Sequence, residues 1–158
     1  WALTGCKGRA PQLLKSLYLA DGEQEAHNLV MKQKYDIIRD REVMYETRHL
    51  EDAELMIVAF GTPARIAKTA IENLRARGIR AGLLRLISLF PFPVHQVHDF
   101  SIRIKKILVV EMNTGQMLRD VQISAHRDSR IFFYGRPGGG VPYPDDIEAQ
   151  VVAALEEA

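Results

Sequence analysis

Residues 55–78 read LMIVAFGTPARIAKTAIENLRARG, and this stretch decides the fold of the chain. Its first six residues are all apolar and end at a glycine, as in a strand that is buried on both faces of a parallel sheet. Apolar residues then recur every three or four positions from Ile66 to Leu74, which predicts a helix with one face on a core. Gly78 is suited to end that helix, because glycine adopts the left-handed conformation of a helix C-terminus.

The start of this helix has its own signal. Thr62 and Pro63 follow the glycine directly. A threonine hydroxyl can accept a free N–H group of the first turn, and proline is suited to the first helical position. We therefore expect Thr62 to cap the helix and Pro63 to be its first residue.

The same alternation of strand and helix continues to the C-terminus. Further strands are expected at 79–87, 106–111 and 130–134, and further helices at 94–103, 114–126 and 145–158. Such alternation with short loops predicts an α/β fold with a mostly parallel sheet between two layers of helices. Right-handed crossovers bring the loops that follow the strands to one edge of the sheet, where ligands or partners usually bind.

The N-terminal third has a different pattern. Residues 1–20 are irregular and interrupted by glycine and proline, although Gln12 to Leu19 is apolar enough for a short helix or an extended arm. Residues 24–48 lack both of these residues and carry one apolar stripe, which predicts a single long helix. We therefore divide the chain into an arm with a long helix, residues 1–53, and an α/β domain, residues 54–158. We expect the long helix to be a docking surface.

Composition excludes several classes of protein. The 158 residues carry a net charge of +1, unlike the strong basic excess of an obligate nucleic-acid-binding protein. The single cysteine, Cys6, excludes a disulfide framework, a four-cysteine zinc site and a self-contained iron–sulfur cluster. No apolar run is long enough to cross a bilayer. Residues 55–110 alone carry nine Lys and Arg against two Asp and Glu, which we interpret as solvated helix faces.

Polar residues and glycines at the ends of the predicted strands are the candidate functional residues. They are Gly61, Thr62, Asn113, Thr114, Gly115, Gln116 and Arg136. One interpretation is a network of caps and turns, in which Glu111 would be paired because a carboxylate at the end of a buried strand needs a partner. The other is contact with an anion or a subunit. The glycine-rich loop after residue 135 lacks the Gly-Lys-Ser/Thr ending of a phosphate-binding P-loop.

Other reactive residue types form no complete site. His95 and His98 share a predicted helix face beside Asp99, but two histidines without a clear third ligand are weak evidence for a metal. Cys6 is interpreted as an incidental thiol. No serine stands in a nucleophile elbow, so the residues alone identify no catalytic set.

A series of strings along the chain resembles one enzyme family. They read WALTGCKGR (1–9), KSLYL (15–19), EAHNL (25–29), EDAE (51–54), VAFGTPARIAK (58–68), GLLR (82–85), LFPFP (89–93), VVEMNTGQM (109–117) and FYGRPGG (133–139). Together they resemble the alpha subunit of 2-oxoacid:ferredoxin oxidoreductases, most of all the branched-chain type that acts on 2-oxoisovalerate (3-methyl-2-oxobutanoate). The resemblance covers essentially the whole chain, and EMNTGQM with FYGRPGG is its most specific part.

The resemblance implies a three-layer sandwich like the C-terminal domain of transketolase, and it allows one antiparallel edge strand. The complete enzyme would convert a 2-oxoacid and coenzyme A into an acyl-CoA, carbon dioxide and reduced ferredoxin. It would use thiamine diphosphate, magnesium and iron–sulfur clusters. The family's thiamine-binding N-terminal domain and its Gly-Asp-Gly motif are absent from these 158 residues. The resemblance therefore implies no cofactor and no catalytic residue within them.

The implied role is that of the C-terminal domain of the alpha subunit in a cytoplasmic enzyme. Its partners would be the absent thiamine-binding domain, the other subunits and, through the complex, ferredoxin; we expect no contact with nucleic acid or membrane. The chain alone is expected to be inactive and to be capable of forming a homodimer. The alternative is a stand-alone α/β module that binds a nucleotide or an anion. The start at Trp1 rather than Met favours a piece of a longer protein.

Overall fold

A computed structural model describes residues 3–157 of the chain. The elements in chain order are α1 (Glu23–Arg41), β1 (Tyr45–Arg48), β2 (Leu55–Phe60), α2 (Gly61–Ala76), β3 (Ala81–Leu86), α3 (Val94–Arg103), β4 (Lys106–Glu111), α4 (Gln116–Ser124), β5 (Arg130–Gly135) and α5 (Pro144–Glu156). The first two residues of the predicted arm and the last residue of the last predicted helix lie outside the described range.

The strands form one sheet in the order β1-β3-β2-β4-β5. All neighbouring pairs among β2, β3, β4 and β5 are parallel, whereas β1 is antiparallel to β3. The predicted α/β fold with a mostly parallel sheet is therefore confirmed. The antiparallel edge strand that the resemblance allowed is also present.

Helices cover both faces of the sheet, and strand β2 contributes to both of the resulting cores. Leu55, Ile57 and Ala59 belong to the core beneath α2 and α5. Met56 and Val58 belong to the core beneath α3 and α4. Successive residues of a strand point to opposite faces of the sheet, which is why they enter two cores. Because helices cover both faces, all five side chains are completely buried. The continuous apolar run thus reflects a strand that is covered on both sides.

Strand order determines where the connections diverge. The chain leaves β2 towards α2 on one face, and it leaves the adjacent strand β4 towards α4 on the other face. The two strands are paired in parallel up to Ala59 and Val110, so their carboxyl ends lie side by side. This divergence is the topological switch point at which open α/β sheets usually bind ligands.

The predicted long helix over 24–48 is wrong beyond Arg41. The chain leaves the helix there, and Tyr45–Arg48 pairs with β3 as the edge strand. Glu46 then lies within hydrogen-bond distance of Lys68 and Arg85, two cations that are distant in sequence. Helical periodicity could not show this strand, because the backbone and side-chain partners that stabilise it come from elsewhere in the chain.

The chain divides into two compact units between Ile37 and Ile38. In the first unit, residues 3–22 contain no helix or strand, so of the two alternatives for Gln12 to Leu19 the short helix is not formed. Helix α1, which crosses the boundary, has no buried residue. No helix among residues 3–157 is long and apolar enough to span a membrane. The proposed division after residue 53 stays a prediction.

The expected cap of helix α2 is also wrong. The helix begins at Gly61, immediately after the strand, so Thr62 and Pro63 are its second and third residues. Phe60 occupies the N-cap position, and no side chain caps the helix. Gly61 has a φ of +55°, which glycine adopts without steric cost. Because strand and helix are joined without a loop, no residue is left between them to act as a polar cap.

We expect Thr62→Ala to change the free energy of unfolding by less than about 0.5 kcal/mol, since the hydroxyl caps nothing. Urea denaturation of both proteins measures the difference. Asn113→Ala is a suitable control, because Asn113 does accept hydrogen bonds at the start of a helix. It should cost at least about 1 kcal/mol. A loss of that size for Thr62→Ala would contradict the observed helix start.

The connection between β1 and β2 makes a close contact with the start of β3, at the end of the sheet where the parallel strands begin. Arg75 donates hydrogen bonds to the carbonyl oxygens of Ala81 and His49, and it forms an ion pair with Asp52. A Cβ on Gly82 would lie 2.6 Å from the carbonyl oxygen of His49. This position therefore accepts only glycine, because the obstructing atom belongs to the backbone.

We expect Gly82→Ala to destabilise the protein by about 1–3 kcal/mol, because the new methyl group forces the two backbones apart. Thermal denaturation followed by circular dichroism measures the loss. Gly140→Ala is the control: there a new Cβ would lie 3.2 Å from the Arg136 side chain and 3.3 Å from the Pro137 carbonyl oxygen, so a shift of a few tenths of an ångström relieves both contacts. Equal effects of the two substitutions would contradict the close approach.

Candidate functional site

A buried carboxylate organises the carboxyl end of strand β4. The side chain of Glu111 is fully buried at the last position of the strand. It accepts hydrogen bonds of 2.9 Å from the backbone N–H groups of Met117 and Leu118 and from the side-chain amide of Asn113. These donors compensate for the loss of water around the charge. They also include two N–H groups of the first turn of α4, which would otherwise lack acceptors.

Asn113 completes the start of α4. Its side-chain oxygen accepts the N–H groups of Gly115 at 2.8 Å and Gln116 at 3.1 Å. The helix consequently begins at Gln116 and not at the predicted Thr114. The N–H groups from Gly115 to Leu118 all have acceptors within the chain. What the loop offers to a partner is the exposed Thr114 and the exposed side chain of Gln116.

The glycine-rich loop after β5 is attached to the same network. The backbone N–H of Arg136 donates to the Glu111 carbonyl oxygen at 3.0 Å. A Cβ on Gly135 would lie 2.5 Å from the carbonyl oxygen of Asn113, so only glycine permits this approach. The carboxyl ends of β4 and β5 are therefore bound to each other as well as to α4.

Arg136 is engaged within the chain. Its Nη1 atom lies 3.4 Å from both the Tyr134 hydroxyl and the Asp146 carboxylate. The hydrogen bond with Tyr134 is the main reason that the pKa of Arg136 is raised. The pKa of Asp146 is lowered, first by the Tyr143 N–H that it accepts and then by Tyr134 and Arg136. Asp146 thus accepts a backbone N–H group at the start of α5.

Gly61 and Thr62 lie in a different place, together with three cations that the sequence analysis missed. They line a depression of about 490 Å³ with Arg65, Lys68 and Arg85. We name this feature the basic depression. A sequence signal for it exists: Arg65 and Lys68 are three residues apart in the predicted helix, and residues at that spacing share a helix face.

One acid adjoins the basic depression. Glu46 of β1 accepts a 2.7 Å hydrogen bond from Lys68 and a 2.8 Å hydrogen bond from Arg85. These bonds, the one from Lys68 above all, lower the pKa of Glu46 below its usual value. The predicted site residues therefore form two groups. One is organised by Glu111, and the other surrounds the start of α2.

His95 and His98 were the two histidines considered as metal ligands. His98 lies 3.5 Å from Asp99, and no cluster of three or more metal-ligating side chains occurs among residues 3–157. Cys6 is exposed and free.

The strand order, the two helical layers and the shared loop edge define a doubly wound α/β domain. Residues 53–147 match the family model described as pyruvate:ferredoxin oxidoreductase core domain II. The match covers more than half of the chain, which therefore belongs to this family.

Curated relatives are subunits of the same group of enzymes. The chain is 38% identical over 148 residues to ketoisovalerate oxidoreductase subunit VorB of Methanothermobacter marburgensis. This alignment covers 93% of this chain and 42% of the relative. It is 31% identical over 135 residues to 2-oxoglutarate synthase subunit KorA of Methanocaldococcus jannaschii, which covers 84% of this chain and 36% of the relative. The chain thus spans about two fifths of the length of these relatives.

Solved structures show the same fold. A 2-oxoglutarate:ferredoxin oxidoreductase from Magnetococcus marinus, solved with 2-oxoglutarate, coenzyme A and succinyl-CoA bound, superposes with a TM-score of 0.75 at 21% identity. The match covers 88% of this chain and 24% of that one. A split-gene transketolase superposes with a TM-score of 0.56 at 19% identity over 70% of this chain and 41% of its own. The expected likeness to transketolase is confirmed.

We expect Glu111→Gln to destabilise the protein by about 2–3 kcal/mol. One carboxylate oxygen becomes an NH2 group that faces N–H donors, and those donors lose a buried acceptor. Chemical denaturation measures the loss. Glu72→Gln is the matched control, because Glu72 is half exposed in its ion pair with Arg48 and should change stability by less than about 1 kcal/mol. Similar losses for both variants would contradict the role of Glu111.

Proposed function

We propose that this chain is the C-terminal domain of the alpha subunit of a 2-oxoacid:ferredoxin oxidoreductase. The complete enzyme would convert a 2-oxoacid and coenzyme A into acyl-CoA and carbon dioxide, and the electrons released would reduce ferredoxin. The observation that carries this proposal is the 38% identity to two ketoisovalerate oxidoreductase subunits along about nine tenths of the chain. Membership of the family does not favour the stand-alone binding module.

The proposed substrate is a branched-chain 2-oxoacid, 2-oxoisovalerate. Relatives named as ketoisovalerate oxidoreductase subunits reach 38% identity over 142 to 148 residues. Three relatives named as 2-oxoglutarate synthase subunits are 31 to 35% identical over 126 to 135 residues. A fourth is 40% identical, but over only 82 residues. The difference is modest, so the substrate has to be tested directly on the complete enzyme.

The residues of this chain do not fit the cofactors of the proposed reaction. The sequence contains no Gly-Asp-Gly motif for a diphosphate with magnesium, and one cysteine cannot hold an iron–sulfur cluster. Within residues 3–157 no side-chain cluster is suited to a metal ion. We therefore assign thiamine diphosphate, magnesium and the clusters to other parts of the enzyme, together with the chemical steps.

The proposed role of this domain is assembly and support of the surroundings of the active site. Helix α1 supports this role, because it has no buried residue and exposes Leu29, Val30 and Ile37 to more than half of their full area. Large exposed apolar side chains on one element often mark an interaction surface. The proposed partners are the thiamine-binding domain, the other subunits in the cytoplasm and, through them, ferredoxin. In their absence a second copy of this chain would cover the same residues.

Purification of the native complex through a tag on the protein that contains this chain tests the proposal. We expect the complex to reduce ferredoxin with 2-oxoisovalerate and coenzyme A, whereas the 158-residue chain alone should neither do so nor bind thiamine diphosphate in calorimetry. The reason is that the chain lacks residues for the cofactor. A higher kcat/KM for 2-oxoglutarate would contradict the branched-chain assignment. Activity or cofactor binding by the chain alone would contradict the assigned role.

A further inference from the structure

The basic depression is a concave, positively charged surface that the proposed function leaves unexplained. Three cationic side chains line it, from Arg65, Lys68 and Arg85. They come from separate elements, since the first two belong to α2 and the third to β3. Their convergence therefore depends on the fold and is not a run of charges along one surface helix.

The charges at this place do not cancel. Glu46 is the acid that neutralises Lys68 and Arg85, and it supplies one negative charge for two positive ones. Arg65 has no hydrogen-bond or ion-pair partner among residues 3–157. The first turn of α2 contains no acid. The depression therefore has an excess of about two positive charges, counted as formal charges at neutral pH.

The start of α2 adds to this excess. Gly61 and Thr62, the first two residues of the helix, line the same depression, and no side chain caps the helix. A helix N-terminus carries roughly half a positive charge. The neighbouring helix α4 differs in this respect, because Glu111 and Asn113 accept its N–H groups. Of these two helix starts at the switch point, that of α2 is the one that has no side-chain cap and lies beside cationic side chains.

We propose that the basic depression binds a phosphate group of a small molecule. A phosphate monoester carries about −1.5 to −2 charges at pH 7, which matches the excess of positive charge. Arginine guanidinium groups bind phosphate through paired hydrogen bonds, and Arg65 is available for this. Lys68 and Arg85 converge on the two oxygens of Glu46, and each of these cations has more N–H donors than the one that Glu46 accepts.

The size of the depression favours a small molecule over a protein segment. Its volume of about 490 Å³ lies within the range of small-molecule sites and leaves room for more than the phosphate itself. The site is independent of the proposed reaction. It involves neither the loop of Glu111 nor the exposed side chains of α1.

Titration of the 15N-labelled 158-residue chain with inorganic phosphate and with pyrophosphate tests the proposal, and folding of each variant is checked by circular dichroism. We expect saturable shifts of the Gly61 and Thr62 amide signals, and tighter binding of the more highly charged pyrophosphate. Arg65→Gln should weaken binding about fivefold, as expected for one exposed charged hydrogen bond. Arg65→Lys should restore part of the loss. The dissociation constant should rise with ionic strength.

Arg77→Gln is the matched control. Arg77 lies at the other end of α2 and is about half exposed, so its removal changes the net charge equally without altering the depression. The dissociation constant should not change. Equal weakening by Arg77→Gln and Arg65→Gln would overturn the proposal, as would the absence of saturable shifts at about 10 mM of either probe.

A glutamate-rich peptide is the third probe. Shifts at Gly61 and Thr62 with this peptide but with neither phosphate probe would overturn the proposal in favour of an acidic protein partner. Because no 2-oxoacid, coenzyme A or ferredoxin is used, failure of any of these titrations leaves the proposed oxidoreductase function untouched.

Discussion

Burial of the central strand on both of its faces is the constraint on which the rest of this structure depends. Every residue from Leu55 to Ala59 is inaccessible to solvent, and alternate residues enter two separate cores. Burying each large apolar side chain contributes roughly 1.5–3 kcal/mol. Two layers of helices are needed to cover such a strand, and they can connect its parallel neighbours only through crossovers. Sandwich architecture and strand direction both follow from this requirement.

The same constraint concentrates polar chemistry at one edge of the sheet. Four parallel strands end there, and each is followed by a helix whose first N–H groups need acceptors. The chain satisfies this need differently at adjacent positions. At α4 a buried glutamate and an asparagine supply the acceptors. At α2 the strand runs directly into the helix and no side chain caps it. Three cations surround that second helix start.

Membership of the family bears on the role of the hydrogen-bond network at the carboxyl ends of β4 and β5. The chain spans about two fifths of its curated relatives, and no cluster of three or more metal-ligating side chains occurs in its described part, residues 3–157. The hydrogen bonds that join the ends of β4 and β5 to α4 through Glu111 agree with the proposed supporting role. Fold alone would not justify this view, because α/β sandwiches serve many functions.

Local pattern alone determined most of the regular structure. Strand β4 has the predicted bounds, because an apolar run between polar residues indicates a buried strand whatever the rest of the chain does. Glu111 was expected to be paired for a reason equally local, since a charge at the end of a buried strand requires partners. The motifs along the chain also carried the correct family.

The tertiary structure alone decided the features that depend on residues brought together from a distance. Strand β1 exists because it pairs with the edge of β3, whereas the periodicity of its sequence predicted that it continues the preceding helix. Thr62 is not a cap, because the strand continues to the residue before the helix. Arg85 joins Arg65 and Lys68 only when β3 is placed beside β2, so a count of charges along the chain could not distinguish a basic depression from solvated helix faces. For β1 and for Arg85 the deciding energy comes from contacts between segments that are distant in sequence, which no local pattern records.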